Sequence, residues 1–429
     1  MTLLSNKKRA AIFIALSFIF LSCTMDNSNS NNEETLKYEY LGDNFVRGFD
    51  LSAVDYWEND YAPNNEWAEP VWYDTEGTQK SIYAILKNHG IDTVRIRVWV
   101  DPENAPVTDD YWPANKPDSW ATGNCTTERA VKMAKAAKAE GLKVLLDFHY
   151  SDYWTDPGKQ VIPLSWQNIT TKEGLAAKVS EYTTEVLTAL KDAGATLEYV
   201  QIGNEIDNGM LTNISYTAKT DTTPAYAEPA PSSIGGKMYS SNLHAYLKAG
   251  CDAVRAFDSS IKIMIHVTNE HAKDRMAFIA QGGIDYDIIG LSYYSWEENH
   301  RTIAELKSNI SYLKKTYKKA VMVAESSSHW NGTGDSDASA RENAADHMIN
   351  PATGRIYSNL ETETYDGNVQ LVGSIENQKN VFAHIIQESA DAGGSGIFAW
   401  GGERRGDWKY AFFEWDGKAL ESLDVFKEN

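Results

Sequence analysis

The chain has 429 residues, 42% of them hydrophobic and 23% charged, which excludes wholesale disorder and a multi-span membrane protein. Asp and Glu number 60 against 40 Lys and Arg, and the resulting formal charge of −20 repels phosphate backbones and argues against nucleic acid as a partner. Thirteen Trp in one chain is the compositional oddity.

At the N-terminus Lys7, Lys8 and Arg9 precede an apolar run, Ala10–Leu21, of signal-peptide form. It ends Phe20-Leu21-Ser22-Cys23, which resembles a bacterial lipoprotein cleavage box with Cys23 as the lipidated first residue. Plain secretion, with Cys23 inside a discarded signal, is the alternative. Residues 1–22 are therefore read as signal and 23–42 as a flexible tether rich in Asn, Ser and acids. Residues 43–429 are read as one folded domain. The expected location is exported and lipid-anchored, at the outer membrane or cell surface, as a monomer. Losing residues 1–22 removes three positive charges and takes the formal charge of −20 to −23. Cys125 and Cys251 are too few for a disulfide framework; they could pair, and two isolated buried or partly buried thiols are the expected state.

Eight short apolar runs follow, each leading into a later helical pattern. They are Phe45–Ser52, Thr93–Val100, Val144–His149, Tyr199–Glu205, Ile261–Val267, Asp287–Tyr294, Val321–Glu325 and Gly396–Trp400. Amphipathic segments at Glu128–Glu140, Lys172–Lys191, Asn242–Phe257, Ile303–Tyr317 and Gln378–Asp391 lie between them. This alternation predicts parallel strands with crossover helices, and eight units fit a single (β/α)8 barrel. Helix-to-strand connections are short and marked by Gly. Strand-to-helix connections are long, at Asp101–Thr127, Tyr150–Thr171, Ile206–Lys237 and Ser326–Ile375, the face where such barrels build active sites.

The Trp follow the same asymmetry. Trp99 and Trp400 fall at strand ends, the other eleven in strand-to-helix loops, and none in a predicted helix. Most are expected to pack loops onto the barrel; a few exposed rings would suffice to line a saccharide groove.

Side chains alternate along a strand. Arg95, Arg97 and Trp99 share one side of their strand, as do Leu145, Asp147 and His149, then Met264 and His266, then Gly290, Ser292 and Tyr294. The opposite sides are uniformly apolar and must face the helices. A ring of Arg97, His149, Glu205, His266, Tyr294 and Glu325 thus gathers at six strand ends. Buried polar groups need partners, so this ring is either a structural network or a catalytic one. Glu205 and Glu325, across the barrel mouth from one another, suggest the carboxylate pair of a glycosidase.

Longer stretches carry a family resemblance. They are Leu145–Asp152 with Trp154, Asp156–Gln160 and Pro163; Gly48–Ser52; Arg95–Pro102; Gln201–Ile206; Asp287–Tyr294; and Phe413–Phe426. Over residues 45–427 the chain resembles the endo-β-1,4-galactanases of glycoside hydrolase family 53, in the clan of retaining (β/α)8 hydrolases. The resemblance implies Glu205 as general acid/base, Glu325 as nucleophile and Asn204 as the holder of the hydroxyl beside the anomeric carbon. It implies that Arg97 and His266 support the carboxylates, and that His149, Asp152, Tyr294 and Trp400 line the sugar site. The implied substrate is β-1,4-galactan of type I arabinogalactan in pectin, cut internally without a catalytic cofactor. Departures fall at subsites: Thr212 and Asn213 stand where the family continues with Trp and Pro, and Ser295-Trp296 where it has Pro and an aromatic. A structural calcium in the seventh loop would be held by Asp335 and Asp337, although Ser339 and Arg341 replace the family's His and Asn; an Asp-rich solvated turn is the other reading.

Two alternatives share the Glu pair or the barrel. One is a related mannanase, xylanase or glucanase. The other is a surface glycan-binding lipoprotein on an inactive barrel, against which both carboxylates speak.

Overall fold

The computed structural model describes residues 45–61, 71–103, 123–217, 226–296, 302–331, 344–365, 367–405 and 409–427. The signal, the tether, Cys23, the calcium residues Asp335 and Asp337, and Trp67, Trp112, Trp120 and Trp408 lie outside the described residues.

Eight parallel strands close a barrel in chain order. They are β1 (Val46–Asp50), β2 (Thr93–Val98), β3 (Lys143–Phe148), β4 (Tyr199–Ile202), β5 (Lys262–Thr268), β6 (Ile288–Ser292), β7 (Ala320–Ser326) and β8 (Gly396–Ala399). β1 pairs with both β2 and β8, which closes the ring. The expected (β/α)8 architecture is the one observed.

The crossover helices are α1 (Ile82–Asn88), α2 (Thr127–Ala139), α3 (Lys172–Asp192), α4 (Ser241–Phe257), α5 (Ala272–Ile279), α6 (Ile303–Tyr317) and α7 (Ile375–Asp391). Six of these seven start on a Ser or Thr whose side chain accepts a first-turn N–H: Ser81, Thr126, Thr171, Ser240, Thr302 and Ser374. At Thr302 the bond is reciprocated by Glu305, a complete capping box. α1 and α5 were not among the predicted segments. With seven and eight residues they are too short to display a helical period.

The core has two parts. Outward-facing Val94, Ile96, Val98, Val144, Leu146, Phe148, Ile263, Ile265 and Val267 are fully buried under the helices. Inside the barrel, Val46, Leu145, Tyr199, Met264, Ile288, Met322, Ala324 and Phe398 form one apolar plug drawn from seven strands. Gly48 makes room for it, since a Cβ there would lie 2.1 Å from the Phe398 ring. Above the plug, toward the C-terminal strand ends, the inward positions turn polar: Asp50, Arg95, Arg97, Asp147, Gln201, His266 and Ser292 are all buried.

Of the nine described Trp, three are buried, five are half-buried and one is exposed. Trp72, Trp99 and Trp166 are buried, whereas Trp415 is 59% exposed. Trp57 lies in a π-helical turn and Trp166 in a 3-10 turn, both within strand-to-helix connections. Cys125 and Cys251 are free and buried.

Candidate active site

Glu325 reaches the barrel interior through an irregularity in β7. Met322 and Ala324 belong to the interior plug, so strict alternation would send Glu325 outward with Val321 and Val323. The register breaks there: Leu291 pairs with Val323, but the next residue, Ser292, pairs with Glu325. A bulge of this kind re-aims a side chain, and here it turns a carboxylate into the crater.

Both oxygens of Glu325 are held. Arg95 Nη1 lies 2.8 Å from Oε1, and the Tyr294 hydroxyl donates to Oε2 at 2.7 Å. Arg95 is the hub of the polar layer. Its guanidinium also donates to Asp50 (3.0 Å), Asp147 (2.8 Å), Asn204 Oδ1 (2.9 Å) and Gln201 Oε1 (3.2 Å). The support for the carboxylates implied for Arg97 is therefore corrected: Arg95 touches Glu325. Arg97 instead stacks on Trp154, 3.6 Å from the ring centroid, beside the Cys125 thiol. The strands of the barrel are tilted and staggered, so the residue one pleat deeper carries the long side chain to the centre.

Glu205 sits on a tight turn just past β4, with left-handed backbone angles (φ 44, ψ 58) that are strained for a residue with a Cβ. Two devices hold that turn. The Gln160 amide donates to the carbonyl of Asn204 at 2.8 Å and to that of Glu205 at 3.3 Å. Gln160 in turn is fixed by Asn213 Oδ1, which accepts its backbone N–H at 2.9 Å. Thr212 and Asn213, where the sequence departs from the family pattern, thus serve to seat the β3 loop on the Glu205 turn. On the other side the Glu205 N–H points to His266 Nδ1 at 3.4 Å. The Glu205 carboxylate accepts the Ser292 hydroxyl at 2.6 Å on Oε1.

Asn204 and His266 lie between the two carboxylates. Asn204 gives one amide hydrogen to the Thr155 carbonyl at 2.8 Å, leaving the second for a ligand. His266 contacts Asn204 Oδ1 at 3.0 Å through Nδ1 and Ser292 Oγ at 2.9 Å through Nε2.

The remaining predicted residues divide. Tyr294 and Trp400 belong to an aromatic wall, with Trp400 6.0 Å from Tyr294 and 6.1 Å from Trp154 between ring centroids. Trp296 continues it, stacked on Tyr410 at 5.0 Å. His149 and Asp152 face inward to the protein. Both His149 ring nitrogens are used, by Asp147 (3.1 Å) and by the Thr155 N–H (3.0 Å). Asp152 accepts the N–H of Asp101 (3.0 Å) and of Leu164 (2.7 Å), which ties two loops together.

The two carboxylates have different electrostatic surroundings. Burial raises the pKa of both. At Glu325 the Arg95 guanidinium and the Tyr294 hydroxyl oppose that rise. At Glu205 the negative charge of Glu325 adds to it, and the Ser292 hydroxyl is the group that opposes it. Glu205 is held well above the ordinary glutamate value, which favours the proton on Glu205 and the charge on Glu325. Among the described residues no three His, Cys, Asp or Glu are grouped to hold a metal ion.

Asp50, Arg95, Asp147, Gln160, Gln201 and Ser292 are site residues that the strand-end ring did not include. Strand parity had placed Arg95, Asp147 and Ser292 on the inward side, and the signal for them was inward polarity one pleat deeper.

Over residues 46–429 the sequence matches the model of glycosyl hydrolase family 53. An endo-beta-1,4-galactanase of Bacillus subtilis (strain 168) is 32% identical over 295 residues, 68% of this chain and 58% of that protein. The match therefore spans less than two thirds of that relative's length. An arabinogalactan endo-beta-1,4-galactanase of Cellvibrio japonicus (strain Ueda107) is 32% identical over 293 residues, 67% of this chain and 66% of that protein. Among solved structures, the GH53 catalytic domain of Ignisphaera aggregans superimposes with a TM-score of 0.67 at 27% identity, covering 90% of this chain and 96% of that one. A match that runs through all eight barrel strands and both mouth carboxylates places the chain in its family: it belongs to glycosyl hydrolase family 53.

Proposed function

We propose that the chain is a retaining, endo-acting hydrolase of β-1,4-galactosidic linkages in galactan and type I arabinogalactan. The observation that carries this reading is the unequal carboxylate pair at the barrel mouth, with Arg95 and Tyr294 on Glu325 and the Ser292 hydroxyl on Glu205. The galactanases among the relatives support the choice of substrate.

In the first step a Glu325 oxygen attacks the anomeric carbon. The glycosidic C–O bond breaks, its electron pair goes to the leaving oxygen, and Glu205 supplies that oxygen with a proton. In the second step Glu205, now ionised, takes a proton from water. The resulting oxygen attacks the same carbon, and the ester bond to Glu325 breaks. Arg95 and Tyr294 hold Glu325 charged and aimed before attack, and they accept it again as leaving group. Asn204 has an amide hydrogen directed to the hydroxyl beside the reacting carbon, a contact that strengthens in the transition state. Trp400, Tyr294 and Trp296 offer apolar faces for sugar rings.

The same reading has the protein exported through residues 1–22 and anchored by a lipid on Cys23, as a monomer. It includes a calcium ion on Asp335 and Asp337. These parts rest on sequence pattern, and a melting temperature lowered by chelator would support the calcium.

The test is a polysaccharide panel with the mature chain: linear β-1,4-galactan, mannan, xylan and β-1,4-glucan. Galactan cleaved internally, with the other three untouched, is the expected result. Cleavage of another member instead would overturn the substrate assignment. Loss of cleavage with retained binding in Glu325→Gln separates the enzyme from a mere glycan-binding barrel.

A further inference from the structure

We propose that Ser292 is a positioning residue that, backed by His266, presents the proton of Glu205 to the leaving oxygen and sets its acidity. The proposal rests on the reading of Glu205 as acid/base and names the device behind it.

Three groups stand in line. Ser292 Oγ lies 2.6 Å from Glu205 Oε1, and His266 Nε2 lies 2.9 Å from Ser292 Oγ. Ser292 and His266 are both fully buried, so water cannot take the place of either partner. Among the described residues no group bonds Glu205 Oε2, so the two carboxyl oxygens are unequal: one is held and the other is open to the crater.

Counting hydrogens gives the chain a direction. Ser292 has a single hydroxyl hydrogen, and it is spent on Glu205 Oε1. His266 must then donate its Nε2 hydrogen to Ser292 Oγ. Its Nδ1 lies 3.0 Å from Asn204 Oδ1, 3.2 Å from the Gln201 amide nitrogen and 3.4 Å from the Glu205 backbone nitrogen. The histidine therefore touches both the backbone and, through Ser292, the carboxylate of the same strained residue. With Oε1 accepting, the acidic hydrogen resides on Oε2, which faces the substrate.

The chain also acts on acidity. A hydrogen bond donated to a carboxylate favours its charged form. The charged groups around Glu205 are Glu325 from β7, Asp156 from the β3 loop and Asp207 from its own turn, all negative and all raising its pKa. His266 faces it from β5. Ser292, from β6, is the group that offsets these. Without it the acid would hold its proton too tightly to release it and to recover it as a base in the second step.

The experiment compares wild type, Ser292→Ala and Ser292→Thr on linear β-1,4-galactan across pH, with melting temperature as the check on folding. For Ser292→Ala the alkaline limb of kcat/KM is expected to move up by about one pH unit, the size of one bond to a charged group, with turnover near neutrality down about tenfold. Ser292→Thr restores the hydroxyl and returns the limb toward wild type. An alkaline limb in Ser292→Ala that coincides with wild type, or that moves down, overturns the proposal. Glu205→Ala with added azide tests the underlying reading separately. Dead on galactan but rescued by azide on an activated aryl galactoside, it leaves that reading standing, so an unmoved limb then counts against Ser292 alone. Galactan turnover by Glu205→Ala at the wild-type rate would remove the acid/base assignment itself, and the proposal with it.

Discussion

Arg95 meets Glu325 at 2.8 Å, between Nη1 and Oε1, while its second terminal nitrogen reaches Asp147 at 2.8 Å. One buried cation thus joins the Glu325 carboxylate to the polar layer beneath it. Arg95→Lys cannot span these partners, because an ammonium is a point donor and the site uses a planar fork. Breaking a buried ion pair costs about 3–5 kcal/mol, so the melting temperature should fall by roughly 5–15 °C and galactan turnover by about a thousandfold or more. Arg97→Lys, which alters stacking on Trp154, should do less to both. Thermal melts and initial rates of the two variants check this, and equal effects would contradict the assignment of Arg95.

Tyr294 donates to the other oxygen of Glu325 at 2.7 Å. Tyr294→Phe keeps the ring in the aromatic wall and removes one bond to a charged group, worth about 1.5–3 kcal/mol. Turnover should fall about ten- to a hundredfold with little change in melting temperature. A loss confined to KM would mean that the hydroxyl serves binding and not the carboxylate.

Gln160 clamps the carbonyls of Asn204 and Glu205. Gln160→Ala frees a strained turn that carries the acid while leaving the sugar-stacking rings in place. The expected outcome is a kcat about tenfold lower at nearly constant KM, the signature of an interaction realised in the transition state.

Arg95, Glu325 and Gln160 show what is legible in the sequence and what is not. The barrel, the loop-bearing face and the carboxylate pair follow from strand alternation and from inward polarity at strand ends. Arg95 was on the inward side of its strand by the same parity. The ring of outermost residues nevertheless favoured Arg97, because strand tilt cannot be read from one strand at a time. The inward aim of Glu325 has the opposite history. Parity in β7 sends it to the helices, and only the register break against β6 turns it in. Gln160 lay in a family-like stretch whose purpose is tertiary: it reaches from the β3 loop to the β4 turn. α1 and α5 leave no sequence signal because seven or eight residues do not establish a period.

Glu403 gives a pH test of stability. It is 3% exposed, burial pushes its carboxyl up to about 7, the charge of Asp50 adds to that, and Arg404 opposes it. The folded-state pKa thus lies above the unfolded one. The stability tied to this group is fully present below the ordinary glutamate value and is lost as pH rises through about 7. Glu403→Gln removes the cost of ionisation. Its melting temperature should exceed wild type at about pH 8, and the gain should vanish near pH 4. An equal difference at both pH values would show that titration of Glu403 is not its source.

The central claim, that Glu325 attacks the sugar while Glu205 manages the proton, is tested most directly by trapping the covalent intermediate. A β-1,4-galactobioside carrying fluorine at C2 and a good leaving group forms the ester readily and hydrolyses slowly. Proteolysis and mass mapping after incubation should place the glycosyl mass on the peptide at Glu325 in wild type and nowhere in Glu325→Gln. A label on Glu205, or product formed from this substrate with no labelled peptide at any time, would contradict the account.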